Sequence, residues 1–392
     1  MIGISADSQS PGAPLGRRQL RLQHQRFGPL PGPDLQERRH KRRIRGAIAA
    51  VLVLALAALS VWIIQRDAAI KAGAWFAGYV DVTVLPAYAF DEPVDDAHKN
   101  VVLAFVVADA GDPCTPRWGL DYSLDDAQAQ LGLQSRIQTL RGHGGDAAVS
   151  FGGSVNTELA NACTDPDRLL AAYREVVQRY ALSVVDFDIE AANLVDLGAS
   201  FRRAAVVAAL QRERAAAGHP LGVWLTLPVS PRGLTDEGTT AVSAMIEAGV
   251  ELSGVNLMTM NYGASRSPSQ TMAQASESAA TAAQSQLSII YQRLGKSLDS
   301  PAVWAKIGLT PMVGANDVPG DLFGLDAAAA LHAFALARGT ARVSMWSLNR
   351  DGPCTGAPAS GSGGASHVCS GAPDPAGAFS SVLGGALRGS MR

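Results

Sequence analysis

Asp186, Asp188 and Glu190 stand at alternate positions of the stretch SVVDFDIEAAN, Ser183 to Asn193, with Phe187 and Ile189 between them. Residues two apart in a β-strand point the same way, so this spacing sets three carboxyl groups on one face. Val184, Val185, Phe187 and Ile189 favour a strand buried among apolar neighbours. Three carboxyls stacked on an interior face lose hydration and repel one another, which raises the pKa of at least one. A carboxyl that keeps its proton near neutral pH is a general acid. Glu190, at the end of the strand, is placed to reach a substrate. Asp188 and Asp186 below it are expected to share a proton and tune it. Two other uses of the stretch are a solvated edge strand with outward acids and an oxygen-ligated Mg²⁺ or Ca²⁺ site. A single line of carboxylates does not surround an ion, so no metal is expected.

The elements that must hold this stretch can be counted. β-rich runs begin at Trp75, Val101, Asp146, Val184, Gly222, Gly254, Lys306 and Arg342. Most are nearly continuous apolar runs, as strands covered on both faces should be. Helical patterns lie between them. One starts with Asp165 as N-cap and Pro166 at its first position; others stop at Gly218 and Gly295. Eight alternations of strand and helix point to a (β/α)₈ TIM barrel, an α/β fold of about 250 residues; a doubly wound open sheet is the alternative, but no Gly-rich phosphate loop follows the first strand. Barrel function sits at the C-terminal ends of the strands. Glu190 would end strand 4, Gly152 and Gly153 strand 3, and Asn261 and Tyr262 strand 6, with Trp346 on strand 8. They converge on one mouth. None of the seven histidines falls at a strand end, and none is given a role.

These residues resemble the family 18 glycoside hydrolases, the chitinase family. Its strand-4 signature D-G-x-D-x-D-x-E appears as Ser183 to Glu190, with Ser183 and Val184 in place of the leading Asp and Gly. Its strand-3 S-x-G-G appears as Ser150 to Gly153. Val255 to Gly263 (VNLMTMNYG) is similar to the M-T-M-D-Y-G segment of bacterial members, with Asn261 in place of Asp. Ile307 to Val318 and Trp346 are similar as well. The likeness runs from about Trp75 to the C-terminus. It implies cleavage of β-1,4 bonds beside N-acetylglucosamine with retention, the substrate's own acetamide acting as nucleophile, one of the exceptions to the two-carboxylate scheme.

The resemblance also implies roles. Glu190 protonates the glycosidic oxygen and later activates water. Asp188 orients the acetamide N–H and stabilises the oxazolinium, Asp186 supports Asp188 through a shared hydrogen bond, and Tyr262 donates to the acetamide oxygen. Asn261 contacts the sugar near the cleaved bond and Trp346 forms the floor. Met258, Gly152 and Gly153 complete the substrate wall. No cofactor is implied. Each residue has a plainer use: Tyr262 as a core tyrosine, Trp346 as barrel packing, Met258 and Met260 as core fillers, the glycines as points of close loop approach. For the whole chain the alternatives are a non-catalytic chitinase-like lectin and a cell-wall hydrolase acting on peptidoglycan or another amino-sugar polymer. Asn261 removes a charge close to the chemistry, so an altered pH optimum or rate is expected.

Charge and hydropathy divide the 392 residues. The first 45 carry ten Lys/Arg against three Asp/Glu, while the remainder carries 23 against 32. An acidic body argues against nucleic-acid binding. Residues 1–45 are expected to be a disordered basic cytoplasmic tail. Gly46 to Ile64 contains no charge and would span roughly 28 Å as a helix, close to the hydrocarbon thickness of a bilayer. With RRHKRRIR before it, residues 46–64 are expected to be a transmembrane signal-anchor, N-terminus inside and the rest outside; a cleaved signal peptide is the alternative. Residues 65–74 would be a linker and 75–392 a monomeric barrel. Cys114, Cys163, Cys354 and Cys369 form no C-x-x-C pair, and an exported domain favours disulfides. Cys114 and Cys163 fall in neighbouring loops of the mouth, and Cys354 and Cys369 in the loop after strand 8, so the expected pairs are 114–163 and 354–369.

Overall fold

The computed structural model describes residues 40, 42–53, 73–354 and 365–391. The chain divides into two compact units, Met1–Trp62 and Ile63–Arg392. In the first, residues 42–53 are helical. The helix therefore includes 42–45, which the sequence reading assigned to a disordered tail; Arg and Ile continue a helix readily, and no proline interrupts them. The expected span 46–64 is described only to Val53, and residues 54–64 lie outside the described residues, as do 1–39 and most of the linker. Among the described residues no helix is long and apolar enough to cross a membrane.

In the second unit all eight expected strands are present: β1 (Trp75–Asp81), β2 (Asn100–Ala108), β3 (Asp146–Gly152), β4 (Val184–Asp188), β5 (Gly222–Ser230), β6 (Leu252–Met258), β7 (Ile307–Thr310) and β8 (Arg342–Met345). Each pairs in parallel with its sequence neighbours, and β1 pairs with both β2 and β8, which closes an eight-stranded barrel. A short hairpin, Pro116–Trp118 and Tyr122–Ser123, adds antiparallel to the end of β2.

The outer helices form where the sequence punctuates. We label them α1 (Leu124–Leu131), α2 (Leu133–Gly142), α3 (Pro166–Arg179), α4 (Leu197–Ala216), α5 (Asp236–Glu247), α6 (Met272–Arg293), α7 (Leu325–Arg338) and α8 (Ala378–Gly384). The Asp165 side chain accepts from the backbone N–H groups of Asp167 and Arg168, and Pro166 opens α3. Thr271 and Gln274 form a capping box on α6. Gly218 and Gly295 take left-handed φ just beyond α4 and α6, the conformation that ends a helix at least cost with glycine. Among the described residues only the short turn Asp96–His98 stands between β1 and β2, where a barrel helix would be. α8 closes on it through Ser380 Oγ, 3.1 Å from His98 Nε2.

One apolar core fills the space between strands and helices. A second, smaller one lies inside the barrel and includes Trp75, Ala77, Tyr79, Val102, Trp224 and Met391. Both expected disulfides are present: Cys114–Cys163 joins the loops after β2 and β3, and Cys354–Cys369 clips the loop after β8.

Candidate active site

Alternation along β4 turns Asp186 and Asp188 into the barrel, as the spacing requires. Asp186 is wholly buried. Its Oδ2 accepts from Tyr79 Oη and Ser150 Oγ, each at 2.8 Å; its Oδ1 accepts from Thr226 Oγ1 and Arg342 Nη1, each at 2.7 Å. Asn256 Nδ2 donates to Thr226 at 3.1 Å, and Thr310 Oγ1 donates to Asn256 at 2.8 Å. Seven of the eight strands thus contribute to one polar network beneath the mouth.

Asp188 sits above this network. Its carboxyl is buried, and Oδ1 has no hydrogen-bond partner among the described residues. Burial first, then the charges of Glu190 and Asp186, push its pKa well above the carboxylate range; Arg342 pulls the other way. Glu190, half-buried, ends the row and stands just before a short helix, Ala191–Val195, without a side-chain capping bond to it. Burial and then the charge of Asp317 raise its pKa to about 7. The two carboxyls interact, so the pair, rather than either residue, carries a proton near neutral pH.

The loop bearing Glu190 is pinned from below. Asn193 Nδ2 donates to the carbonyl of Asn156 at 2.8 Å, and the backbone N–H of Glu158 donates to Asn193 Oδ1 at 3.2 Å. Glu158 is itself buried in an ion pair with Arg203 at 2.7 Å, and Tyr173 donates to its other oxygen. This ties the loops after β3 and β4 to each other and to α4.

A cavity of about 130 Å³ opens above Asp188 and Glu190, lined also by Tyr79, Phe105, Met258, Asn261, Asp317 and Trp346. Trp346 stacks on Phe105 with ring centroids 5.4 Å apart and an interplanar angle of 20°. Register slips between Leu103 and Val106 on β2, and that irregularity presents Phe105 to the mouth. A wider groove of about 920 Å³ lies at the opposite end, by Ser183, Gly222, Leu252 and Lys306. Barrel chemistry belongs at the C-terminal ends of the strands, and the raised carboxyls are there, so the smaller cavity is the candidate site.

Of the residues expected from sequence, Asp188, Glu190, Met258, Asn261 and Trp346 meet in this cavity, with Asp186 below them. Three departures follow from backbone geometry. Tyr262 is not in the cavity: it is buried, and its hydroxyl donates to Ser276 on α6 at 3.3 Å. Asn261 takes φ +53°, a left-handed residue that breaks the alternation after Met260 and turns Tyr262 outward. Gly152 and Gly153 do not line it either. A Cβ on Gly152 would come 2.2 Å from the carbonyl oxygen of Asp188, so this glycine lets β3 approach β4. Gly153 donates its N–H to that same oxygen at 2.9 Å. Finally, no hydrogen bond joins Asp186 to Asp188 among the described residues; the acceptor sites of Asp186 are occupied by other strands.

Asn261 faces the cavity but is engaged. Its Nδ2 donates to Asp317 Oδ2 at 3.2 Å, and its Oδ1 accepts the N–H of Asp317 at 2.9 Å. An aspartate in its place would repel Asp317 and could not donate. Tyr79, Thr226, Arg342, Asp317 and His367 belong to the site or its support, yet none was singled out from the sequence. Tyr79 and Arg342 share the inward parity of Trp75 and Trp346 on their strands, a signal that was available. Asp317 and His367 lie in loops that carry no periodic signal.

No family model matches the chain. Two curated relatives do. The "Probable bifunctional chitinase/lysozyme" of Escherichia coli (strain K12) is 36% identical over 285 residues, 71% of this chain and 31% of the relative. "Endochitinase 11" of Metarhizium anisopliae is 35% identical over 286 residues, 71% of this chain and 52% of the relative. The chain therefore spans about a third to a half of the length of these proteins. Among solved structures, active domain 2 of a chitinase from Pyrococcus furiosus matches with a TM-score of 0.69 and 27% identity, covering 82% of this chain and 97% of that one. The catalytic domain of the hyperthermophilic chitinase from the same organism matches with a TM-score of 0.68.

The raised Glu190 carboxyl has a consequence for stability. The folded state holds this proton more tightly than the unfolded chain, whose value is 4.5. Its contribution is fully present below about pH 4.5 and is lost as pH rises through about 7. Glu190→Gln has no such loss. Thermal denaturation between pH 4.5 and 8 should show the variant gaining on the order of 2 kcal/mol over the wild type at the alkaline end, after allowance for partial exposure. Parallel stability curves would show that the carboxyl is not perturbed.

Proposed function

On the premise of a chitinase-type family, which the relatives and solved structures support, we propose that this chain is a retaining glycoside hydrolase of β-1,4-linked N-acetylglucosamine glycans. The observation that carries the reading is the Asp188–Glu190 pair, which holds a proton near neutral pH, beside the stacked Trp346 and Phe105 rings. Glu190, protonated, donates to the glycosidic oxygen as the bond to C1 breaks. The acetamide oxygen of the same sugar attacks C1 from the opposite face. Asp188, left a carboxylate because the shared proton sits on Glu190 before donation, accepts the acetamide N–H and offsets the positive charge of the ring that forms. Glu190, now a carboxylate, then takes a proton from water, which attacks C1 as the bond from C1 to the acetamide oxygen breaks, restoring the acetamide and the starting configuration. Trp346 supplies an apolar surface for the face of the sugar ring. Asp186, anchored by Arg342, fixes the row from below. A compact cavity favours short soluble oligosaccharides.

A second reading has its own support. The name of the Escherichia coli relative joins chitinase to lysozyme, so peptidoglycan belongs in the same assay. A lectin without turnover is disfavoured because the terminal acid, Glu190, is retained. The full chain in detergent should cleave a fluorogenic N-acetyl-chitooligosaccharide, and Glu190→Gln should lower kcat/KM by at least about 100-fold. Saturable binding without turnover, unchanged by the substitution, would make the barrel a lectin.

The membrane anchor is part of the proposal. The charge-free run 46–64 follows a dense basic cluster, the pattern of a signal-anchor with the barrel outside. In cell fractionation the full chain should stay with membranes through an alkaline wash, and a chain lacking residues 1–64 should not. A soluble exported protein with a new N-terminus near Ala57 would replace the anchor with a cleaved signal.

A further inference from the structure

We propose that Arg342 is a positioning residue that holds Asp186 as a carboxylate and so confines the exchangeable proton of the three-carboxyl row to Asp188 and Glu190. The inference rests on the glycosidase reading and specifies how its acid is kept charged with a proton.

The geometry leaves Arg342 no other state. It is 1% exposed at the start of β8. Nη1 donates to Asp186 Oδ1 at 2.7 Å, Nη2 to Tyr79 Oη at 3.0 Å, and Nε to Ser344 Oγ at 2.7 Å. Its guanidinium carbon lies 5.2 Å from the Trp75 ring centroid, 5.3 Å from that of Trp224 and 5.5 Å from that of Tyr79. The two indoles meet edge to face at 5.7 Å. Three aromatic rings thus pack around the cation, and a guanidinium does not lose its proton in a protein.

Asp186 is equally fixed. Two donors fill the lone-pair sites of each carboxylate oxygen. A proton on Asp186 would displace one of them and leave the buried guanidinium without its counter-charge. Asp188, next on the same face, has an oxygen that meets no donor among the described residues, and burial favours its protonated form. The proton that a general acid needs is therefore exchanged upward, between Asp188 and Glu190, and not downward. The charged and titratable groups around the row are Tyr79 from β1, Arg342 from β8, Asp317 from the loop after β7 and His367 from the loop after β8. Of these only Arg342 contacts Asp186 with a full positive charge.

Charge balance gives the test. The alkaline limb of kcat/KM reports loss of the proton from the free pair. Arg342→Gln removes the counter-charge, leaves the row more negative and should move that limb up by about one pH unit. Asp186→Asn leaves the guanidinium unbalanced and should move it down. The double variant replaces an ion pair by a neutral pair and should restore the wild-type limb while keeping measurable turnover. In the free full-length protein in detergent, infrared titration of the protonated carboxyl band should follow the same order.

A limb unmoved in Arg342→Gln, with only the rate lowered, would make Arg342 a packing residue and overturn the proposal. If Arg342→Gln does not fold, the double variant decides: a limb displaced by a unit or more, or no turnover in a folded protein, overturns it, since Asp186 would then act on the chemistry itself. If the wild type cleaves no oligosaccharide, the glycosidase reading fails, and the infrared order still decides this one.

Discussion

The buried ion pair between Arg342 and Asp186 is the constraint on which the barrel's polar interior depends. A cation and an anion can be taken from water together only if each finds partners for its remaining donors or acceptors. Here the partners come from the strands themselves: Tyr79, Ser150, Thr226 and Ser344 bind the two charged groups, and Asn256 and Thr310 extend the network. One consequence is registry. A strand slipped by one residue would turn its member of the network outward and leave buried groups unpaired. The pair thus fixes the face on which Asp188 and Glu190 emerge.

Above the network the environment changes over two residues. Asp186 has every acceptor site filled, Asp188 has an oxygen with no partner among the described residues, and Glu190 reaches the cavity. The three carboxyls have the same chemistry and differ in surroundings, which gives each a different protonation task. The aromatic floor completes the contrast. Trp346 and Phe105 present apolar faces beside the carboxyl pair, a combination suited to a sugar that has both a polar rim and an apolar ring face. The loops hold this arrangement from outside through the Cys114–Cys163 bridge and the Glu158–Arg203 ion pair.

Period-two alternation made the carboxyl row legible in sequence, placing Asp186, Asp188 and Glu190 on one face. Nearly continuous apolar runs marked the eight strands, and the loops after them hold the cysteines that pair. Alternation does not carry through to Tyr262, expected at the mouth from its strand-end place and the resemblance, because one left-handed residue, Asn261, breaks the pattern of Met258 and Met260. It was underused at Arg342: a charged residue opening a strand resembles a solvated end, although its parity with Ser344 and Trp346 directs it inward. Asp317 and His367 reach the cavity from loops, where neither period nor burial pattern exists to read. The glycine pair at the end of β3 is legible as a special backbone, but whether it faces a sugar or a neighbouring strand depends on how closely β3 approaches Asp188.

The stereochemistry at C1 depends on where the nucleophile comes from. If Glu190 is the acid and the substrate's acetamide attacks C1, the configuration at C1 is kept. Proton NMR of an N-acetyl-chitooligosaccharide during the first turnovers, before the product mutarotates, decides this directly. The account predicts that the β-anomer appears first and the α-anomer only later by equilibration. An α-anomer formed first would mean inversion by water activated at a second carboxylate, such as Asp317, which also lines the cavity, and would contradict the mechanism.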